Sequence, residues 1–177
     1  LVNIAKEAYV KMAKAAEKEK LKLVATSSYR DYEYQEKIYN RYVKSDGKEA
    51  ADTYSGRPGF SEHQTGLAID VSSNKSGNML TFEDTKSYNW MMDNAHKYGF
   101  ILRYTKEKEN IHGYINEPWH YRYVGIKVAK DIYDNYRTNI NIIYDNLLFG
   151  YNEFTPMTKK EYYLSSPIGT TIKKEDI

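Results

Sequence analysis

Ser61-Glu62-His63-Gln64-Thr65-Gly66-Leu67-Ala68-Ile69-Asp70-Val71-Ser72 sets the reading of the whole chain. From Gly66 onward the residues alternate. As a strand, this run puts Leu67, Ile69 and Val71 on one face and Ala68, Asp70 and Ser72 on the other. The first face is aliphatic and suits a core. The second carries a carboxylate among small residues, which leaves room for something to approach it. His63 precedes the strand, and before it residues 44–60 are polar and end in Gly56-Arg57-Pro58-Gly59, which is loop chemistry.

On the N-terminal side, Ile4, Ala8, Met12 and Ala15 recur at helical spacing and predict an amphipathic helix over residues 3–20. Leu21–Thr26 alternates as a strand and runs into Ser27-Ser28-Tyr29-Arg30. Asp31 is then the N-cap of a second helix of roughly 12 residues, with Tyr34, Ile38 and Tyr42 at four-residue steps. On the C-terminal side a third helix is expected over 82–98, capped by Thr81 and closed by Gly99. Phe100–Tyr104 and Ile111–Ile115 predict a hairpin around a polar loop. Glu117–Val124 reads as a further strand and 126–137 as a last helix. No internal repeat and no linker interrupts residues 1–138, which are expected to form one domain. Residues 139–177 hold an apolar knot (Ile142, Ile143, Leu147, Leu148, Phe149) and then Ser165-Ser166-Pro167. They are expected to be an extension of unassigned role that packs on the same domain, with a lead toward a neighbouring domain as the alternative.

A chain of 177 residues fits a single core. Its net charge of +2, spread among acids, implies neither nucleic acid nor an anionic membrane as partner. No run approaches the roughly 18 apolar residues of a membrane span. The chain opens at Leu1 without a hydrophobic signal core, and the expectation is a mature or excised domain. Tyrosine outnumbers phenylalanine 19 to 5. Drift toward Tyr, Lys and Asn accounts for that, with a surface suited to sugars and peptides as the alternative. Cysteine is absent, which removes disulfides, thiolate metal sites and cysteine nucleophiles together. Any metal is left to carboxylates and to four histidines, His63, His96, His112 and His120.

A catalytic zinc takes three such ligands and keeps a fourth position for water. His63 leads into the strand that carries Asp70, and His120 follows Glu117 by three residues. Pro118 between them forbids a regular ladder, which suits a base at a strand mouth with a ligand just inside. Each residue alone has an ordinary reading: a structural histidine, a hydrogen-bonded edge aspartate, a loop dipeptide.

The combination resembles a known family. Ser61–Asp70 resembles the S-x-H-x-x-G-x-A-x-D signature of VanY-type D-alanyl-D-alanine carboxypeptidases, zinc metallopeptidases of the LAS group that include L,D-carboxypeptidase relatives. Glu117-Pro118-Trp119-His120 resembles the E-x-x-H that completes their site, and Ser28-Tyr29-Arg30 the segment that supplies their substrate-binding arginine. The likeness runs from about residue 3 to 133 in the same order and fades after 138.

The resemblance implies one Zn2+ per chain held by His63, Asp70 and His120, with Glu117 as catalytic base. Arg30 would face the substrate's acidic end or the oxyanion, as both a catalytic and a substrate-binding group. Ser61 and Gln35 would hydrogen-bond the terminal D-alanine, and Trp119 would support the base and wall the pocket. The ordinary alternatives are a surface cation for Arg30, an exposed helix position for Gln35 and a core position for Trp119. His96 is expected to be solvated. His112, one strand from the site, is the decoy; a functional role for it would be that of a transition-state donor.

The implied fold is α+β, a small mostly antiparallel sheet with helices packed on one side and a zinc cleft on the open face. The implied function is removal of the C-terminal D-alanine from peptidoglycan stem peptides by a monomeric chain at the surface or wall of a Gram-positive-type cell. D,D-specificity is slightly preferred and L,D-specificity stays open. The rivals are an endopeptidase of the same fold and a non-catalytic zinc module similar to the hedgehog signalling domain. Arg30, Ser61 and Gln35 suggest a closed, carboxylate-reading end, which disfavours the first. Retention of Glu117 and Arg30 disfavours the second.

Overall fold

The alternation at Leu67–Ser72 becomes the middle of a four-stranded sheet. The computed structural model describes residues 1–74 and 77–136. β1 (Val24–Ser27), β2 (Ala68–Ser72), β3 (Phe100–Leu102) and β4 (His120–Tyr123) lie in the order β1-β2-β4-β3, every pair antiparallel. In the β2–β4 register Asp70 faces His120, Ile69 faces Tyr121 and Ala68 faces Arg122. Because side chains alternate, Ile69, Val71, Tyr121 and Phe100 share one face, and all are at most 1% exposed. Asp70, His120 and Arg122 share the other.

The apolar face is covered by α1 (Asn3–Lys18) and α4 (Lys86–Asn94), whose Met12, Ala16, Trp90 and Met91 join the same core cluster. The buried stripe of α1 is Ala5, Met12 and Ala16, whereas Ile4 is 62% exposed. The expected stripe was therefore rotated by about one residue. Small alanines bring the helix close to the sheet, and a larger side chain is left outside. The start of α1 is tied to the motif turn: Val2 N–H donates to the Gly66 carbonyl at 2.9 Å. Gly66 has φ +70°, and a Cβ there would stand 2.9 Å from Val2 Cγ1, so glycine is needed on both counts.

α2 (Tyr32–Asp46) begins as expected, with the Asp31 carboxylate accepting from Tyr34 N–H at 2.7 Å. It buries Gln35 and Tyr39, while Tyr34 is exposed. A short α3 (Lys48–Ala51) lies inside the segment read as loop. The third helix is corrected in detail. It splits into a 3-10 turn (Phe82–Asp84), α4 and a second 3-10 turn (Ala95–Tyr98), and its cap is Thr85, accepting from Tyr88 N–H, in place of Thr81. Gly99 closes it in the left-handed conformation, as expected.

The expected hairpin is also corrected. Residues 109–112 form α5 (Glu109–His112), and β3 pairs with β4, Phe100 facing Tyr123. The 109–112 turn is closed locally, by Gly113 N–H on the Glu109 carbonyl at 2.9 Å and Asn116 N–H on the Glu109 carboxylate at 2.7 Å. Within the expected strand, Tyr114 N–H donates to His112 Nδ1 and Ile115 N–H to the Thr53 carbonyl, so with Gly113 these donors are taken away from β3. The last helix, α6, spans Ile126–Tyr136. The apolar knot and the Ser-Pro segment of residues 139–177 lie outside the described residues. Among the described residues no helix is long and apolar enough to cross a membrane.

Candidate metal centre and cleft

Two adjacent strands and one turn bring three donors together. Asp70 on β2 and His120 on β4 are cross-strand partners, so their side chains project side by side. His63 comes from the 3-10 turn Glu62–Thr65 that feeds β2. His63 Nε2 lies 3.3 Å from Asp70 Oδ2, and His120 Nδ1 lies 3.2 Å from Asp70 Oδ1. The two imidazoles stand 5.0 Å apart at 80°, and the three donor atoms fall within 4.8 Å of one another. All three residues are at least nine-tenths buried.

This arrangement fits a tetrahedral ion. Bonds of about 2.0–2.1 Å place neighbouring ligand atoms about 3.3 Å apart, close to both aspartate–imidazole separations. The outward nitrogens are already used. His63 Nδ1 donates to the Ser28 carbonyl at 2.5 Å, and His120 Nε2 donates to Glu62 Oε2 at 3.1 Å. With a single proton on each ring, the inward nitrogens carry lone pairs, as metal-binding imidazoles require. Asp70 Oδ1 makes no hydrogen bond although it is buried, a costly state for a carboxylate oxygen in the absence of a cation. Two nitrogens and one hard oxygen, without sulfur, are a donor set that zinc accepts.

The electrostatics divide the carboxylates. Burial alone would raise the Asp70 carboxyl, but the His63 and His120 imidazoles more than offset it and hold it well below the usual range. Burial likewise opposes ionisation of Glu62, and Arg103 and Arg122 overcome it. Burial would lower His120, yet Asp70 and Glu62 on its two sides raise it to about 9 in the metal-free protein. Glu117 has no such support. Burial pushes its carboxyl up to about 7, with Asp70 and Glu62 adding to the push and His120 and Arg30 opposing it. Glu117 Oε2 lies 3.6 Å from His120 Nδ1, and its backbone is pinned by N–H donation to the Tyr104 carbonyl at 3.0 Å.

Arg30 reaches the same place from the end of β1. Its Nη1 lies 3.8 Å from Asp70 Oδ2, and its fork is held by Ser27 Oγ at 2.9 Å and Gln35 Oε1 at 2.8 Å. The Gln35 amide donates in turn to the Gly56 carbonyl at 2.7 Å. Gln35 is 0% exposed, so it is not an exposed helix residue; it links Arg30 to the Gly56 carbonyl. Ser61 is buried immediately before the turn that carries His63. Trp119 is half-buried and packs against the hydrophobic core. Its carbonyl accepts from Val71 N–H, which fastens the approach to β4 onto β2.

The other histidines stand apart. His112 lies on α5, not on a strand; its Nε2 donates to the Thr105 carbonyl and its Nδ1 accepts from Tyr114 N–H. The Tyr104 ring contacts both the His112 and His120 rings, at 5.2 and 4.9 Å. The expectation of a solvated His96 is corrected: it is half-buried and stacks on Tyr133 at 3.6 Å. The sequence reading passed over Glu62, Arg103, Arg122 and Tyr104. Arg122 was within reach, because strand alternation places it on the face of His120. Glu62 was seen only as a variable position between two motif residues.

Against known proteins, a family model for VanY, D-alanyl-D-alanine carboxypeptidase, matches residues 1–126, which contain every residue of this site. The putative carboxypeptidase YodJ of Bacillus subtilis (strain 168) is 49% identical over 133 residues, 74% of this chain and 49% of that protein. The chain spans about half the length of the curated relatives it matches. Among solved structures, the LD-carboxypeptidase LdcB has a TM-score of 0.70 at 47% identity, over 75% of this chain and 63% of that one. A variant of the vancomycin-resistance D,D-pentapeptidase VanY from the VanB-type cassette, in complex with Zn(II), has a TM-score of 0.65 at 35% identity, over 73% and 76%. With the family's α+β fold and the family model over most of its length, the chain belongs to the VanY D-alanyl-D-alanine carboxypeptidase family.

Proposed function

We propose that this chain is a zinc-dependent carboxypeptidase that removes the C-terminal D-alanine from peptidoglycan stem peptides. The observation that carries this reading is the buried His63–Asp70–His120 donor set with Glu117 and Arg30 converging on it at 3.6 and 3.8 Å. Zinc held by those three residues would supply Lewis acidity toward the scissile carbonyl and a nucleophile at neutral pH. Glu117 is the base: it takes a proton from the attacking water and hands it to the leaving amine. Burial raises that carboxyl to about 7 in the metal-free protein, and a bound cation would favour its ionised, proton-accepting form. The Arg30 guanidinium binds the terminal carboxylate or the developing oxyanion, and Gln35 and Ser27 keep its fork aimed. Ser61 takes a hydrogen bond from, or gives one to, the terminal D-alanine. Trp119 braces the strand end behind the base.

Similarity supports both specificities, at 47% identity to LdcB and 35% to VanY. The test is therefore the zinc-loaded protein incubated with matched muropeptides ending in pentapeptide and tetrapeptide stems, products read by mass. Loss of one D-alanine from the pentapeptide alone establishes D,D-action, and loss from the tetrapeptide establishes L,D-action. Internal cleavage moves the chain to the endopeptidases. Full zinc occupancy with neither substrate changed refutes the carboxypeptidase reading in favour of a binding module. A peptidoglycan substrate supports action outside the membrane; the surface or wall of a Gram-positive-type cell is the location proposed, and fractionation of native cells checks it. Light scattering checks that it acts as a monomer.

A further inference from the structure

Glu62 is a carboxylate 15% exposed at its side chain, wedged between two arginines and one imidazole. Arg103 Nε donates to Glu62 Oε1 at 2.6 Å, and Arg122 Nη1 stands 3.6 Å from the same oxygen. The other oxygen, Oε2, accepts from His120 Nε2. Arg122 is 3% exposed, and its Nε and Nη1 make no hydrogen bond among the described residues. The sheet builds this cluster. Arg122 follows His120 by two on β4 and so shares its face, and its cross-strand partner Ala68 is small enough to leave it space. Arg103 sits just beyond β3, with its backbone N–H on the His120 carbonyl at 3.1 Å and its guanidinium over the Tyr104 ring.

The His120 imidazole is thus bracketed by two carboxylates, Asp70 Oδ1 at 3.2 Å from Nδ1 and Glu62 Oε2 at 3.1 Å from Nε2. A neutral imidazole has one proton, and whichever carboxylate holds it decides which nitrogen keeps a lone pair. If Asp70 took it, Nδ1 would point a proton into the centre of the donor set. We propose that Glu62, fixed by Arg103 and Arg122, is a positioning residue that holds the His120 proton on Nε2 and so keeps Nδ1 open toward the metal position. The two arginines matter because they keep Glu62 an acceptor and stop it from turning away. A carboxylate behind a metal-binding imidazole sets its tautomer and orientation, and its loss costs about 10–100-fold in metal affinity.

This inference rests on the reading of His63, Asp70 and His120 as zinc ligands, and it does not depend on which peptide is cut. The experiment measures zinc dissociation constants by competition with a chromogenic chelator for the wild type, Glu62→Gln and Glu62→Gln/Arg122→Met. The double variant keeps the cluster's net charge unchanged, so its fold is not burdened with a second uncompensated guanidinium. A core variant on the opposite sheet face, Met12→Ala, controls for loss of stability alone. Both Glu62 variants are expected to bind zinc 10–100-fold more weakly, and Met12→Ala to bind within about threefold of wild type while melting lower. On the zinc-loaded wild type, a long-range 15N–1H spectrum of the imidazoles is expected to show the His120 proton on Nε2. Unchanged affinity in both Glu62 variants, an equal loss in Met12→Ala, or a proton on Nδ1 each overturns the proposal. A wild type that binds no zinc overturns it together with the metal reading. Altered affinity in a protein that releases no D-alanine supports it and removes only the proposed activity.

Discussion

Replacing Glu117 by Ala separates an enzyme from a zinc-bearing binding module. The carboxylate reaches to 3.6 Å from His120 Nδ1 yet is not one of the three clustered donors, so its removal leaves the metal position intact. A positioned general base contributes about 10²–10⁴ in rate. Here the upper half of that range applies, because no neighbouring carboxylate is free to substitute. Asp70 lies between two imidazoles, and Glu62 is engaged by Arg103 and His120. Glu117→Ala should therefore lower kcat by about 10³–10⁴, a barrier increase of about 4–5.5 kcal/mol. Glu117→Asp withdraws the carboxylate by about 1.5 Å, one C–C bond, and a misplacement of that order costs about 10²-fold. Steady-state release of D-alanine gives kcat, and elemental analysis of the dialysed protein gives zinc content, which should stay at the wild-type level in both variants. Turnover within tenfold of wild type in Glu117→Ala, or the three proteins failing to rank as wild type, Asp, Ala, would refute the assignment. Loss of zinc along with activity would refute the separation of base from ligands.

Three further outcomes follow from particular contacts. Arg30→Lys replaces a fork held by Ser27 and Gln35 with a point charge, and KM for a stem peptide should rise about tenfold or more while the melting temperature stays close to wild type. Equal KM values would show that Arg30 does not read the substrate. Gly99→Ala should destabilise by about 2–4 kcal/mol in urea unfolding, since φ is +85° and the new Cβ would stand 2.7 Å from Tyr123 Cε2 and 3.0 Å from Gly125 C; a loss below about 1 kcal/mol contradicts this. Asp52 accepts from Arg57 Nε at 2.8 Å and from Tyr39 Oη at 2.6 Å, and the Arg57 bond leads in lowering its pKa. A carboxyl whose folded pKa is depressed stabilises above its unfolded pKa, about 3.9, and that stability is lost as pH falls through the folded value. Asp52→Asn should thus cost about 1 kcal/mol or less at pH 7, the pair being half open to solvent, with the difference shrinking toward zero as pH falls below the unfolded value and through the folded one. A pH-independent difference would show that charge is not its source.

How much of this was legible depended on whether a signal was local. The Asp31 cap, the Gly99 stop and the Leu67–Ser72 alternation are set by one residue's backbone or side chain and its near neighbours, and they hold. Thr85 caps α4 in place of the expected Thr81, with buried Phe82 in a 3-10 turn between the two, a tertiary fact. The hairpin failed because β-propensity in Ile111–Ile115 was outweighed by closure of the 109–112 turn and by the better pairing that β4 offers to β3. In the site, the three clustered donors, Glu117 and Arg30 were named from their motifs, and folding brings them together. The burial of Gln35 and its bond to Arg30 are contacts that a helical position does not reveal. Strand alternation could have placed Arg122 beside His120, but Glu62 and Arg103 stayed hidden because their meaning is a charge balance among three separated segments.

That charge balance also bears on why Glu117, of the three carboxylates, is the one proposed as the base. Three acidic groups, Glu62, Asp70 and Glu117, crowd around His120, and three guanidiniums, Arg30, Arg103 and Arg122, share the space. The arginines are unequally divided. Arg103 and Arg122 face Glu62, and Arg30 faces Asp70, which is also flanked by His63. Glu117 is buried with His120 at 3.6 Å, shares Arg30 with Asp70, and has two like charges nearby; burial leads in driving it upward, to about 7, alone of the three. A group meant to hold a metal or an imidazole must stay ionised. A group meant to take and return a proton must have a pKa near the working pH. Exchanging the partners would exchange the roles: an arginine against Glu117 would make it a poor proton acceptor, and Asp70 without its imidazoles would compete for the proton. The site's division of labour therefore follows from where β3, β4 and the end of β1 deliver their arginines, as much as from the identity of the carboxylates themselves.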